Sequence, residues 1–401
     1  MDIRERFLTY VSFYTTSDED SETSPSTMRQ KALSEHIASE LRALGVDNAF
    51  ANDFGYVYAF LPANCETNQK PLGLIAHVDT APAAPGENIK PRVIDYRGGD
   101  IELGNGVVTR EKDFPLLKNY VGQHLIVTDG TTLLGADDKA GVAEIMSAVE
   151  YLIAHPEVKH RGIAVCFTPD EEVGRGTEHF DFDAFHAKQG YTVDGGTLGE
   201  IEYENFNAAA VKINVRGRNI HPGSAKNKMK NAVLYACDFV SCLPAAETPA
   251  HTEGYEGFYH VQEVSGDENA AVVKLIIRDH DLEKFTARKT FIRNLTDYMN
   301  TVYGADVFTA DIRDSYYNMK EKILPHFSLI TDAEKAFADA GVTPKIIPIR
   351  GGTDGAMLSY RGLPCPNLST GGENFHGPHE FVSVEAMETM TKVLLNLVRL
   401  P

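Results

Sequence analysis

Five short segments of the chain carry carboxylates and imidazoles in a pattern suited to holding metal ions. They are LIAHVDT with His77 and Asp79, GADDKAG with Asp137 and Asp138, TPDEEVG with Asp170, Glu171 and Glu172, YTVDGG with Asp194, and NFHGPHE with His376, His379 and Glu380. Imidazole nitrogens and carboxylate oxygens are ordinary zinc ligands. Each segment alone is weak. An isolated His near an Asp is more often a hydrogen-bonded surface pair, and Glu171–Glu172 alone could be a solvated acidic turn. Their weight comes from occurring together, each directly after a predicted strand. Gly135, Gly174, Gly195, Gly196 and Gly377 beside them would let the loops turn tightly.

Two neighbouring cations need a shared carboxylate to offset their repulsion. Asp137, on a glycine-adjacent turn just before a predicted helix, is the natural bridge. His77 and Asp194 would complete one ion, and Glu172 and His376 the other. Three protein ligands per ion leave positions for a shared water. Ions about 3.5–4 Å apart can polarise a carbonyl and activate water. Asp79 lies two residues beyond His77, on the same side of an extended chain, and could accept the other imidazole proton. Glu171 fits a general base that takes the water's proton and passes it to a leaving amine. Spacing alone leaves the reverse open, with Glu171 the ligand and Glu172 at the surface.

These groups need a scaffold. LGLIAH (72–77) and residues 162–168 read as buried strands, GYVYAF (55–60) as an alternating one, and 138–155 as a helix stopped by Pro156. Buried strands alternating with helices predict an α/β fold with a mostly parallel sheet covered on both faces. In such sheets the functional crevice forms at the carboxyl ends of the strands, where the five segments lie. Near residue 208 the pattern changes. AAAVKINVRG, VVKLIIRD and ADVFTADIRDSY read as strands, and 225–242 and 282–304 as helices. This is an inserted α+β unit of about 100 residues, a common domain size. After residue 317 the alternation returns, with TPKIIPI (343–349), a helix near 354–361, CPNLS (365–369) and a helix at 382–399. The expected organisation is 1–207 and 317–401 as one discontinuous catalytic domain, interrupted by a lid or dimerisation domain at 208–316.

Composition narrows the classes. With 57 acidic against 38 basic residues in 401, the formal charge is −19, which repels a phosphate backbone and an anionic membrane. Five scattered cysteines without a CxxC pair argue against a disulfide framework or thiolate metal site. No apolar stretch is long enough to span a bilayer and the N-terminus does not read as a signal peptide, so a cytoplasmic location is expected. RGGTDGA and STGGENFHG match neither phosphate-loop glycine pattern, and GTEHF lacks the paired histidines of a single-zinc helix.

The segments IAHVDT, LLGADDKAG, FTPDEEVGRG, YTVDGG, NIHPGSAKNK, PIRGGTDGA and NLSTGGENFHG, in this order, resemble the co-catalytic dinuclear zinc exopeptidases, a family that includes succinyl-diaminopimelate desuccinylase-like enzymes. The resemblance spans essentially the whole chain and is nearest to the tripeptide aminopeptidases. It implies two zinc ions per subunit, with cobalt or manganese able to substitute at N/O ligands. It implies the ligand set given above, Glu171 as general base, Asp79 behind His77, and a cis peptide at Asp137–Asp138. It also implies that a smaller domain closes over the cleft, and that His221 of NIHPGSA reaches the scissile carbonyl, within its own chain or across a homodimer. Without the resemblance, His221 reads better as a helix cap. Arg350 could grip a peptide's terminal carboxylate through two parallel hydrogen bonds, or be paired structurally; Asn374 and His379 could shape the same pocket, or His379 be an ordinary exposed histidine. The implied activity is removal of the N-terminal residue from short peptides. The alternatives are a carboxypeptidase, a dipeptidase, an N-acyl-amino-acid amidohydrolase, or a noncatalytic metal- or peptide-binding protein.

Overall fold

Every residue of Leu72–His77 and of Ile163–Thr168 is buried, as expected of strands covered on both faces. In the computed structural model, which describes residues 1–400, these strands occupy the middle of an eight-stranded sheet. The spatial order is Phe50–Ala51, Val57–Leu61, Ile163–Thr168, Leu72–His77, Gly190–Gly195, Asn367–Ser369, Glu200–Glu202 and Lys345–Ile346. The centre is parallel: Leu72–His77 pairs in parallel with Ile163–Thr168 and Gly190–Gly195, and the latter with Asn367–Ser369. Toward the margins, Val57–Leu61 and Glu200–Glu202 run antiparallel to their inner neighbours, so the sheet is mixed with a parallel core. The three parallel-paired strands that lead to His77, Glu171–Glu172 and Asp194 therefore end side by side.

The chain divides into two units. One comprises Met1–Tyr203, Glu321–Ile347 and Thr353–Pro401 and holds this sheet; the other comprises Glu204–Lys320 and Pro348–Gly352. In the larger unit the helix Ala136–Ala154 packs on Leu72–His77 and against the C-terminal helix Val384–Val398. Gly141 is what lets that helix approach the sheet. A Cβ there would lie 1.9 Å from the Val193 carbonyl oxygen and 2.5 Å from Asp138 Oδ1. A second sheet of Gly372–Glu373, Phe381–Ser383, His124–Val127 and Arg92–Asp95 was not anticipated, nor was the first helix, Ile3–Val11.

The smaller unit is an antiparallel sheet in the order Phe258–Gly266, Ala270–Asp279, Asn207–Arg216, Phe308–Tyr316. Alternate residues Val211, Ile213 and Val215 turn inward onto the helices Ala232–Ser241 and Leu282–Tyr303, with Phe239, Phe285 and Ile292 in the same core. The helix expected from residue 225 begins only at Ala232. Asn231, in extended conformation, caps it by accepting from the Leu234 N–H, and a short 3₁₀ turn at Pro222–Ser224 precedes it. The segment Pro348–Gly352 belongs to this unit, where the His280 ring meets the Ile349 carbonyl at 3.0 Å. No helix among the described residues is long and apolar enough to cross a membrane.

Within the helix Ala136–Ala154, Glu144 is fully buried and neither of its carboxyl oxygens has a hydrogen-bond partner among the described residues. Burial alone pushes this carboxyl well above its ordinary value, so the folded chain keeps the proton. The unfolded chain ionises it near pH 4.5, so wild-type stability falls as pH rises above that point. Glu144→Met is expected to stabilise the protein by ~1–3 kcal/mol at pH 8, and by less at pH 5. Thermal or urea unfolding at the two pH values checks this; equal or lower stability of the variant at pH 8 contradicts it.

Candidate metal centre

At the carboxyl ends of the central strands the Asp137 carboxylate lies between two imidazoles. Its Oδ1 is 2.8 Å from His77 Nε2 and its Oδ2 is 3.0 Å from His376 Nε2. Asp194 Oδ1 is 3.3 Å from His77 Nε2, and Glu172 Oε2 is 3.0 Å from His376 Nε2. Two ligand groups result, His77–Asp137–Asp194 and Asp137–Glu172–His376, with their donor atoms within 4.8 Å of one another. Asp137 is common to both.

The local folding explains how each ligand is presented. His77 is the last residue of its strand and Asp194 the last but one of its own. Glu172 lies in a 3₁₀ turn, Glu171–Val173, entered through Asp170 in the left-handed region at φ 59°. Asp170 is held there by the Ser26 amide, the Ser26 hydroxyl and the Gln30 side chain, all donating at 2.6 Å. His376 also has a left-handed backbone, φ 65°. The Asp137–Asp138 peptide is cis, as the resemblance implied.

Each ligand-bearing loop is tied to another by a buried oxygen. The Asp79 carboxylate accepts the backbone N–H groups of Glu171 (3.1 Å) and Glu172 (3.2 Å). It also lies 3.3 Å from His77 Nδ1, whose other neighbour is the Asp79 carbonyl at 3.1 Å. Asp138 Oδ2 accepts the His77 amide at 3.0 Å. Thr370, preceding the His376 loop, donates through its hydroxyl to the Gly195 carbonyl at 2.8 Å. Glu380 accepts from the amides of Leu134, Gly135 and Asp137.

The electrostatics explain why a cation belongs here. Burial, then the Asp137 charge, pushes the Glu172 carboxyl up to about 8. Burial likewise raises Asp194 to about 6, and burial with the Asp194 charge puts Glu171 well above the carboxylate range. Burial also opposes charge on Asp137, yet the two imidazoles hold it below that range. Hydrogen bonds to Asp137 and Glu172 lift His376 to about 11. Crowded, buried acids of this kind are favoured in their charged form by a nearby cation. Glu172 Oε1 is buried without a hydrogen-bond partner among the described residues, and the donor set is the N/O mixture that zinc accepts. Residues and ions fit.

Of the other residues singled out from the sequence, Glu171 adjoins Glu172 but belongs to neither ligand group. Asn374, at φ 58°, donates its amide to the His379 carbonyl at 3.2 Å, and His379 Nδ1 meets the Thr109 hydroxyl at 2.9 Å. His221 and Arg350 lie in the smaller unit. His221 is exposed and its Nδ1 accepts from the Gly223 amide at 3.2 Å. The Arg350 guanidinium donates to the carbonyls of Gly254 (2.7 Å), Glu256 (3.0 Å) and Thr252 (3.3 Å), and stacks on Phe206. Glu380 and Asp138 were named as acids of these segments without a role. Their only advance signal was their place beside ligands in short glycine-bearing loops.

A carboxylate shared between two His-and-acid groups, at the carboxyl edge of an α/β sheet, defines a dinuclear metal-dependent hydrolase. Residues 129–400 match the model of peptidase family M20/M25/M40. Peptidase T of Halothermothrix orenii is 50% identical over 399 residues, which is 99% of this chain and 98% of that protein. Aminopeptidase PepT from Bacillus cereus has the same fold, with TM-score 0.76, 22% identity, and coverage of 99% of this chain and 97% of that one. A tripeptidase from Staphylococcus aureus superposes with TM-score 0.78 at 19% identity, again over 99% and 97%. The chain belongs to peptidase family M20/M25/M40, and it is a metal-dependent peptidase.

Chelator-stripped protein dialysed against zinc is expected to take up two ions per chain. At a hundredfold excess over Kd the gain in stability is about 2.7 kcal/mol per ion that binds only the folded chain. Asp137→Ala, which removes a ligand from both groups, should weaken both equivalents and abolish most of the zinc-induced rise in Tm. Elemental analysis with thermal scans reads both effects; full uptake by the variant rules out a shared ligand.

Proposed function

We propose that the chain is an aminopeptidase that removes the N-terminal residue from short peptides, tripeptides above all. The observation that carries the reading is the Asp137 carboxylate, with one oxygen toward His77 and the other toward His376. His77 and Asp194 would hold one zinc, Glu172 and His376 the second, and Asp137 both. When bound, the pair supplies Lewis acidity toward the scissile carbonyl and lowers the proton affinity of a water.

The chain's own groups do the rest. Glu171 takes the proton of the attacking water and returns it to the departing amine. Asp79 fixes the tautomer of His77 and, by holding the Glu171 and Glu172 amides, fixes where both side chains start. His221 donates a hydrogen bond to the developing oxyanion. Arg350 recognises the substrate's carboxylate end, which sets peptide length. Tripeptide preference is supported by the 50% identity to Peptidase T and by the likeness in fold to a tripeptidase. We also propose a homodimer formed through the smaller unit, whose helices expose Leu234, Tyr298 and Val302. Sedimentation tests that assembly, and a monomer at every concentration rejects it.

Glu171→Gln should retain zinc uptake while kcat falls by at least about a hundredfold, the scale of a lost general base. Wild-type-like turnover would remove Glu171 from that role. Parallel assays of a free, an N-acetylated and a C-amidated tripeptide test the substrate class. The free peptide should be cleaved fastest and the acetylated one not at all; preference for the acetylated form would make the enzyme an amidohydrolase instead. A rise in KM confined to the amide, and absent in Arg350→Ala, is the expected signature of carboxylate recognition.

A further inference from the structure

Glu380 lies shortly after His376 in the same loop and is buried, and its carboxylate is spent on backbone. Oε2 accepts the amides of Leu134 (2.6 Å) and Gly135 (2.9 Å), and Oε1 accepts that of Asp137 (3.1 Å). Leu134 and Gly135 are themselves buried, so losing this acceptor would leave their amides without a ready substitute. One rigid carboxylate thus clamps that turn from both of its oxygens. The same clamp joins the turn to the loop bearing His376.

We propose that Glu380 is a positioning residue that aims the Asp137 carboxylate at both ligand groups, and so couples the filling of the two cation sites. With the clamp in place the turn cannot rotate, and Asp137 keeps Oδ1 toward His77 and Oδ2 toward His376. Glutamine has the same size but only one acceptor oxygen. Its NH₂ group would face backbone donors, so at least one of the three bonds is lost. Aspartate keeps the charge but is a methylene too short to reach all three amides. Released, the turn can satisfy the more buried His77 group alone, leaving the group with half-exposed His376 short of its shared ligand.

The inference rests on the two-cation reading above, and zinc titration of stripped protein against a chromophoric chelator, well below the unfolding temperature, separates the two. Wild type should bind two equivalents; uptake of only one overturns the two-cation reading itself. In Glu380→Gln the Kd of the second equivalent should rise about 10–100-fold, the usual cost of removing a ligand's supporting partner, with a smaller change in the first. Glu380→Asp should fall between, and serves the same test if the glutamine variant does not fold. Leu152→Ala, a core truncation at the far end of the same helix, should lose stability yet keep wild-type zinc affinities. Cobalt-loaded Glu380→Gln should also show an altered visible spectrum for the second equivalent. Unchanged affinities in Glu380→Gln, or the same loss in Leu152→Ala, would overturn the positioning role.

Discussion

Negative charge confined in a small buried volume is the constraint around which the larger unit is organised. Asp79, Asp137, Glu171, Glu172 and Asp194 converge on two imidazoles, and lone protons are a poor answer to that crowding. The direction of the shifts makes the point: burial pushes Glu171, Glu172 and Asp194 up, while Asp137, which touches both imidazoles, is held down. A divalent cation resolves the conflict because one ion carries two charges and is shared among several carboxylates, whereas a proton neutralises only one. The ligands must therefore arrive from separate strands at one sheet edge, because no single local segment could present five acids in this geometry. A parallel sheet buried on both faces provides that edge.

A second consequence follows from the same crowding. Loops that carry like charges repel, so each must be anchored by something other than its ligand. Here the anchors are acids and a hydroxyl taken from neighbouring ligand loops: Asp79 for the Glu171–Glu172 turn, Asp138 for His77, Glu380 for the Asp137 turn, and Thr370 for the strand end after Asp194. Carboxylates accepting backbone amides form charge-assisted bonds, stronger than neutral ones. Negative charge in excess of what the ions need is thus used to build the cradle. Substitution at one anchor is expected to be felt at a ligand on a different loop.

The sequence made parts of this legible and hid others for definite reasons. Leu72–His77 and Ile163–Thr168 stood out because strands buried on both faces are continuous apolar runs. The ligand types stood out because His and acids beside glycine at strand ends are rare in combination. The second sheet was missed because its strands are too short to show a periodic pattern, and Arg92–Asp95 is largely exposed as well. The helix start at Ala232 was misplaced because capping by Asn231 overrode a run of residues with acceptable helical propensity. Glu171 and Glu172 could not be told apart by spacing. A 3₁₀ turn entered through a left-handed residue distinguishes the two neighbours, and only Glu172 joins His376. Glu380 was hidden most deeply, since an acid that will accept three amides looks in sequence like any surface acid.

The division of the chain bears on which residues can belong to which step. All five ligands, with Asp79, Glu171 and Glu380, come from the larger unit, although the chain leaves that unit between Asp194 and His376. The smaller unit has its own apolar core and its own polar root. Asn205, Asn207 and Asn318 tie its entering and leaving strands together: the Asn205 amide N–H meets Asn318 Oδ1 at 3.2 Å, and the Asn318 N–H meets Asn207 Oδ1 at 3.0 Å. Such a unit can be carried as an insertion without contributing a metal ligand. Metal affinity should then be a property of the larger unit, and the roles proposed for His221 and Arg350 concern the peptide. Arg350 already gathers the Thr252–Glu256 turn around its guanidinium, so any grip on a carboxylate involves that turn as well. Substrate length would then be set by how this turn and its arginine are held together, and metal binding would be indifferent to changes in either.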